Sequence, residues 1–225
     1  MKISAFLSDL DGTLLDIRER SIQAHVHAFQ CVGHDVEVDQ VRSYFYHSFD
    51  VKELLIRLNI VLKESEFDNY IRGFREAFFG NWQYSQVIPG VFKALELLQD
   101  KTEYMRLITS RHAIESTQRE IRHFGLAKFF DSVFTLGDLA KSEKQKRIPL
   151  FPYLPQRRRL IRLALQGIEP NGSVWVLGDA PGELEAAKSL GFTTIGVLTG
   201  HGTKDSLTPF ADYILDSAAE IVQLI

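Results

Sequence analysis

The sequence predicts an α/β protein: a mainly parallel sheet with helices on both faces, interrupted near its start by an all-helical block. Three observations carry this. Strand-like and helix-like segments alternate from residue 84 onward, the pattern that builds parallel sheets. Across residues 20–79 no convincing strand occurs, and apolar residues recur at helical spacing. A short apolar strand precedes that block, so an insertion follows the first strand of the sheet. The boundaries that result are 1–15 and 84–225 for the α/β core, and 16–83 for the helical insertion.

Residues 2–8 are short, apolar and ended by Asp and Gly, which marks a buried strand. Ile22, Val26, Phe29 and Val32 mark one amphipathic helix, and Val51, Leu54, Leu55 and Leu58 a second. A third carries Phe67, Tyr70, Ile71, Phe74 and Phe78 and closes at Gly80. After "VIPGV" the alternation begins. "YMRLITS" (104–110) is a strand, "AIESTQREIRHFG" a helix ended by Gly125, and "SVFTL" (132–136) a strand. Residues 137–155 read as a long, basic, proline-marked loop. "RRRLIRLALQG" is a helix, "SVWVLGD" (173–179) a strand, and "PGELEAAKSLG" a helix with proline at its start. "TTIGVL" (193–198) and "DYIL" (212–215) are the remaining strands, followed by a last helix.

Composition narrows the function classes. The chain has 225 residues, 45% hydrophobic and 24% charged, with a net charge of −3. A mildly acidic protein does not attract nucleic acid or an acidic membrane surface. Cys31 is the single cysteine, which excludes an intramolecular disulfide and a thiolate metal cluster. The apolar run in "MKISAFLSDLDG" is too short for a signal peptide, and no stretch is long enough to span a bilayer. A cytoplasmic location is the expectation.

In open α/β sheets ligands bind outside the carboxyl ends of the strands. Here Asp9 and Asp11, Thr109 and Ser110, the loop after Leu136, and Asp179 all fall at such ends. Two carboxylates so close repel each other, and a shared cation removes that cost. Hard oxygen ligands suit Mg²⁺. Acids with hydroxyls at neighbouring strand ends make a site for a metal and a phosphate.

These residues resemble a known family. "DLDGTL" (9–14), "LITS" (107–110) and "GDAPGE" (178–183) are similar, in order, to motifs one, two and four of the haloacid dehalogenase-like superfamily. "VIPGVFKALELL" and the C-terminal stretch also resemble that family, and the helical insertion resembles the cap of its phosphoglycolate phosphatase and β-phosphoglucomutase branch. The resemblance implies a Rossmann-like core with an all-helical cap that opens and closes. It implies Asp9 as the nucleophile that forms an aspartyl-phosphate, and Asp11 as the acid for the leaving oxygen and then the base for water. Mg²⁺ would be held by the Asp9 carboxylate, the backbone carbonyl of Asp11, and Asp179. Gly12 and Thr13 would make the turn, and Thr109 with the Ser110 N–H would hold the phosphate. Glu183 stands where the family commonly has aspartate, giving it a supporting role through water or against the neighbouring groups. In the cap, "SYFYHSFDVKELL" puts His47 and Ser48 where substrate is contacted.

One motif departs. Ordinary family spacing puts Leu154 where the third motif supplies a lysine, with Pro155 matching. The chemistry still needs a cation against Asp9 and the incoming phosphate. Candidates are Lys141, Lys144, Lys146, Arg147, Arg157 and Arg158, with Lys146 preferred and the arginines at the helix start read as a solvated face. The expected function is hydrolysis of a small phosphorylated metabolite. The alternatives are a phosphomutase of the β-phosphoglucomutase kind or a non-catalytic protein that binds metal and phosphate.

Overall fold

The computed structural model describes residues 3–45, 51–146, 153–169 and 172–225. In chain order the elements are β1 (Ile3–Ser8), β2 (Leu15–Asp16), α1 (Arg18–Cys31), α2 (Val38–Phe45), α3 (Val51–Arg57) and α4 (Glu64–Gly80). Then follow β3 (Gln86–Val87), α5 (Val91–Gln99), β4 (Thr102–Thr109), α6 (Ile114–His123), β5 (Ser132–Thr135), α7 (Leu136–Ser142) and α8 (Tyr153–Ala164). The last are β6 (Ser173–Gly178), α9 (Pro181–Lys188), β7 (Thr193–Val197), α10 (Lys204–Leu207) and β8 (Tyr213–Leu215). No helix among the described residues is long and apolar enough to cross a membrane.

The chain divides into two compact units, Met1–Asp16 with Val87–Ile225, and Ile17–Gln86. The first is a six-stranded parallel sheet in the order β5-β4-β1-β6-β7-β8. β1 lies between β4 and β6, and every one of its residues is buried. A parallel strand covered on both faces is largely apolar on both, which explains Ile3, Ala5, Phe6 and Leu7, with the small Ser4 and Ser8 buried between and after them. Alternation sends Ala5 and Leu7 to one face, where they pack with Leu136 and Leu139 of α7, Leu160 and Ile161 of α8, and Ala186 of α9. Phe6 faces the other side, with Val91, Leu95 and Leu98 of α5 and Ile221 near the C-terminus. Ile88 returns beside the first strand's exit, its N–H donating to the Leu14 carbonyl at 3.0 Å.

The second unit is built from α1–α4 around Ile22, Val26, Phe29, Tyr44, Leu54 and Tyr70. Polar groups buried within it are partnered: His25 Nδ1 bonds the Tyr70 hydroxyl, and fully buried Arg20 donates to the Phe78 carbonyl while its guanidinium lies 4.1 Å from the Phe78 ring centroid.

The architecture matches the α/β class and helical insertion read from the sequence, with differences in detail. The insertion holds α2 in addition to the three expected helices. α2 offers only Val38, Val41 and Tyr44 as a stripe, too short a run for periodicity to stand out. The expected loop after β5 contains α7, and α8 begins at Tyr153 rather than at the arginines. The C-terminal helix is a 3₁₀ segment, Ala218–Leu224.

Candidate active site

Asp9 follows β1 directly, its N–H donating to the Leu177 carbonyl of β6 at 2.9 Å. Asp179 follows β6, the neighbouring strand. Glu183 lies on the first turn of α9, which Pro181 starts. These three buried carboxyls each bring an oxygen within 4.8 Å of the others. Gly178 makes this possible for Glu183, because a Cβ there would meet Glu183 Oε2 at 2.1 Å.

The cation among them is Arg157 of α8. Its Nη2 lies 3.2 Å from Asp9 Oδ1 and its Nη1 lies 3.3 Å from Glu183 Oε1. Lys146, the sequence-based preference, is solvent-exposed on the segment after α7. Leu154, where ordinary family spacing leads one to expect a lysine, packs against the apolar cluster. The reason for the correction is helical phase: Arg157, Leu160, Ile161 and Ala164 share the i, i+3, i+4, i+7 spacing of the buried face.

Asp179 is held from several sides. The His201 N–H donates to its Oδ2 at 2.6 Å and the Thr13 hydroxyl to its Oδ1 at 3.4 Å. Gly12 adopts φ +79°, and a Cβ there would meet Asp179 Oδ2 at 2.6 Å, so both backbone shape and space demand glycine. Thr199 Oγ1 donates to the Gly12 carbonyl at 2.6 Å, tying the loop after β7 to the turn after β1. Neither Thr199 nor His201 stands out in the sequence as a site residue, although "TGHGT" directly follows a strand.

Asp11 behaves differently from the expectation that it shares a cation with the Asp9 side chain. The chain turns after Ser8, so strand alternation does not apply, and the Asp11 carboxylate pairs with Arg111 through two bonds of 2.7 and 2.6 Å. Thr109, at the end of β4, is buried, and its Oγ1 accepts from the Arg111 N–H at 3.3 Å. Ser110 Oγ is buried without a hydrogen-bond partner. His47 and Ser48 lie outside the described residues, as does Arg147.

Charge decides what this cluster can hold. Among the described residues, three buried carboxyls face one guanidinium. Burial pushes the Asp9 carboxyl well above the usual carboxylate range, Glu183 adds to this, and Arg157 opposes it. Burial likewise pushes Glu183 up to about 7, with Arg157 lowering it and Asp179 raising it. Both Glu183 oxygens lack a hydrogen bond despite the ion pair. Clustered, desolvated and under-neutralised carboxylates are the donor set that suits a hard divalent cation.

A family model described as "Haloacid dehalogenase-like hydrolase" matches residues 6–197. The chain belongs to the haloacid dehalogenase-like hydrolase family. Among its relatives, a "Pyrophosphatase PpaX" from Bacillus velezensis is 24% identical over 233 aligned positions, which cover 99% of this chain and 96% of that protein. A haloacid dehalogenase-like family hydrolase structure from Streptococcus pneumoniae superposes with a TM-score of 0.75 at 18% identity, covering 99% of this chain and 98% of that one. A structure described as a "predicted phosphoglycolate phosphatase" from Haemophilus somnus gives 0.72 at 19% identity, covering 100% and 98%. In this hydrolase Asp9 and Asp179 directly follow the neighbouring strands β1 and β6, with Glu183 of α9 and Arg157 of α8 beside them.

Proposed function

We propose that this hydrolase is a Mg²⁺-dependent phosphatase that cleaves a small phosphorylated metabolite through an aspartyl-phosphate on Asp9. The observation that carries it is the buried set of Asp9, Asp179 and Glu183 opposed by Arg157 alone among the described cations at the cluster. Asp9 and Asp179 would hold Mg²⁺ together with the Asp11 carbonyl, and Glu183 would support them from α9. The ion would offset the charge that a phosphate brings beside Asp9.

The remaining steps fall to the chain's own groups. Arg157 keeps part of the Asp9 charge neutralised and directs one carboxylate oxygen outward as nucleophile. The Thr109 hydroxyl and Ser110 N–H bind phosphate oxygens, with the Gly12 turn giving backbone access. Thr13 fixes Asp179. Asp11 delivers a proton to the leaving oxygen and then takes one from the water that hydrolyses the aspartyl-phosphate. Lys146 has no part in this reading. His47 and Ser48 are proposed cap contacts to the leaving group.

The test is p-nitrophenyl phosphate hydrolysis with Mg²⁺, with EDTA, and with Asp9→Asn. Turnover is expected with Mg²⁺ only, and the variant should lose at least about 10³-fold. Turnover that survives in Asp9→Asn overturns the nucleophile assignment. A second reading rests on the full-length relative named as a pyrophosphatase. Inorganic pyrophosphate therefore belongs beside sugar and carboxylic-acid monophosphates in the first substrate panel.

A further inference from the structure

Arg111 is a buried guanidinium with a carboxylate on each side. Its Nε and Nη2 donate to Asp11 Oδ2 and Oδ1 at 2.7 and 2.6 Å. Its Nη2 also donates to Glu120 Oε1 at 2.9 Å, and its Nη1 lies 2.8 Å from Glu120 Oε2. Side-chain exposure is 3% for Arg111 and 5% for Glu120, against 20% for Asp11. The backbone beneath is fixed too, since the Arg111 carbonyl accepts from the Leu136 N–H at 2.9 Å and the Arg111 N–H reaches Thr109.

Stability does not explain this arrangement. A buried ion pair costs desolvation that its attraction barely returns, and an apolar set of like volume serves a core as well or better. What a guanidinium fork adds is geometry: it is planar, and two parallel bonds hold a carboxylate in one plane. An ionised carboxylate has about four lone-pair sites, and the fork takes one on each oxygen.

We propose that Arg111 and Glu120 are positioning residues that aim the Asp11 carboxyl at the leaving-group oxygen, Glu120 anchoring Arg111 and Arg111 orienting Asp11. This rests on the phosphatase reading above. In the first half-reaction an Asp9 oxygen bonds to phosphorus, the bond from phosphorus to the leaving oxygen breaks, and that oxygen takes the electron pair with the proton carried by Asp11. In the second, water loses a proton to the Asp11 carboxylate as its oxygen bonds to phosphorus, and the Asp9 carboxylate is released with inorganic phosphate. A proton donor held in one plane matters in proportion to how poorly the leaving group departs without a proton.

That proportion is the test. Glu120→Gln removes the carboxylate charge paired with Arg111 and sets an NH₂ donor against the guanidinium. The double variant Arg111→Met with Glu120→Leu removes the clamp without leaving an unpaired buried charge, and serves if the single variant folds poorly by thermal melting. For each, kcat/KM is measured with p-nitrophenyl phosphate, whose leaving group departs as a stable anion, and with a simple alkyl phosphate. The alkyl ester should lose about 30-fold or more, within the range a general acid contributes, and the aryl ester less than about threefold. Equal losses on both esters, or none on either, overturn the clamp. Wild-type protein inactive toward both esters overturns the phosphatase reading itself, a result distinct from either.

Discussion

Arg157 sits one helical turn beyond Leu154, where the sequence resemblance leads one to expect a lysine. Residues three apart on a helix share a face, so α8 presents a basic group to the same end of the sheet from Arg157 as it would from 154. The change from lysine to arginine also widens what the cation reaches, since a fork touches both Asp9 and Glu183 where an ammonium is a point charge. Arg157→Leu strands these buried carboxyls without a counter-ion, and is expected to lower stability by about 3 kcal/mol in urea denaturation at pH 7.5 with EDTA. The loss should shrink at pH 5, where the carboxyls take protons. This residue was legible in the sequence. Arg157, Arg158 and Arg159 look alike in a row, but only Arg157 is in phase with Leu160, Ile161 and Ala164. The others turn elsewhere, Arg158 to Ser189 Oγ and Arg159 to Glu143. Arg111 and Glu120 left no such trace, because nothing in "TSRH" or in α6 states that residues 100 apart in sequence form one ion pair.

At the scale of elements, the strands after residue 100 were readable because each is a short apolar run bounded by turn residues. α7 was missed although its start is written in "TLGD". The Thr135 hydroxyl accepts from the Asp138 N–H at 3.1 Å, and Asp138 Oδ2 accepts from the Thr135 N–H at 2.9 Å, a reciprocal capping box. It was hidden because Thr135 is at once the last residue of β5 and the cap of α7, so the strand pattern absorbed the signal. Buried Leu136, Leu139 and Ala140 then lock the helix under the sheet. Thr135→Ala is expected to cost about 1 kcal/mol in equilibrium denaturation while p-nitrophenyl phosphate turnover stays within about twofold. A loss of turnover without loss of stability would show that this cap shapes the site itself.

For the whole molecule, the buried acid cluster links folding to pH and, on the proposed reading, to Mg²⁺. Glu183 is raised to about 7 in the folded state and returns to an ordinary carboxylate on unfolding. Between those limits the folded chain holds a proton that the unfolded chain releases, so stability falls as pH rises toward 7 and levels off above it. Asp9, raised by burial first and by Glu183 next, acts in the same direction. On the proposed reading Mg²⁺ would require these ligands ionised, so its stabilisation would grow as this one fades. Thermal melts in EDTA should therefore drop from pH 5 to pH 7.5, and the gain in Tm on adding Mg²⁺ should be larger at pH 7.5. An equal Mg²⁺ effect at both pH values would separate metal binding from these carboxyls.

The sheet order has a further consequence, in time rather than space. β1 is an inner strand whose partners β4 and β6 come much later in the chain, with Ser8 beside Leu107 and Leu177. Contacts this distant in sequence close slowly, because the intervening chain must be ordered before they form. Asp9 is made well before Asp179 and Glu183, which follow only with β6 and the start of α9. A nascent chain thus carries the proposed nucleophile through a long stretch of synthesis without the acids that complete its cluster. On the proposed reading, chemistry at Asp9 waits until β6 and α9 have been made.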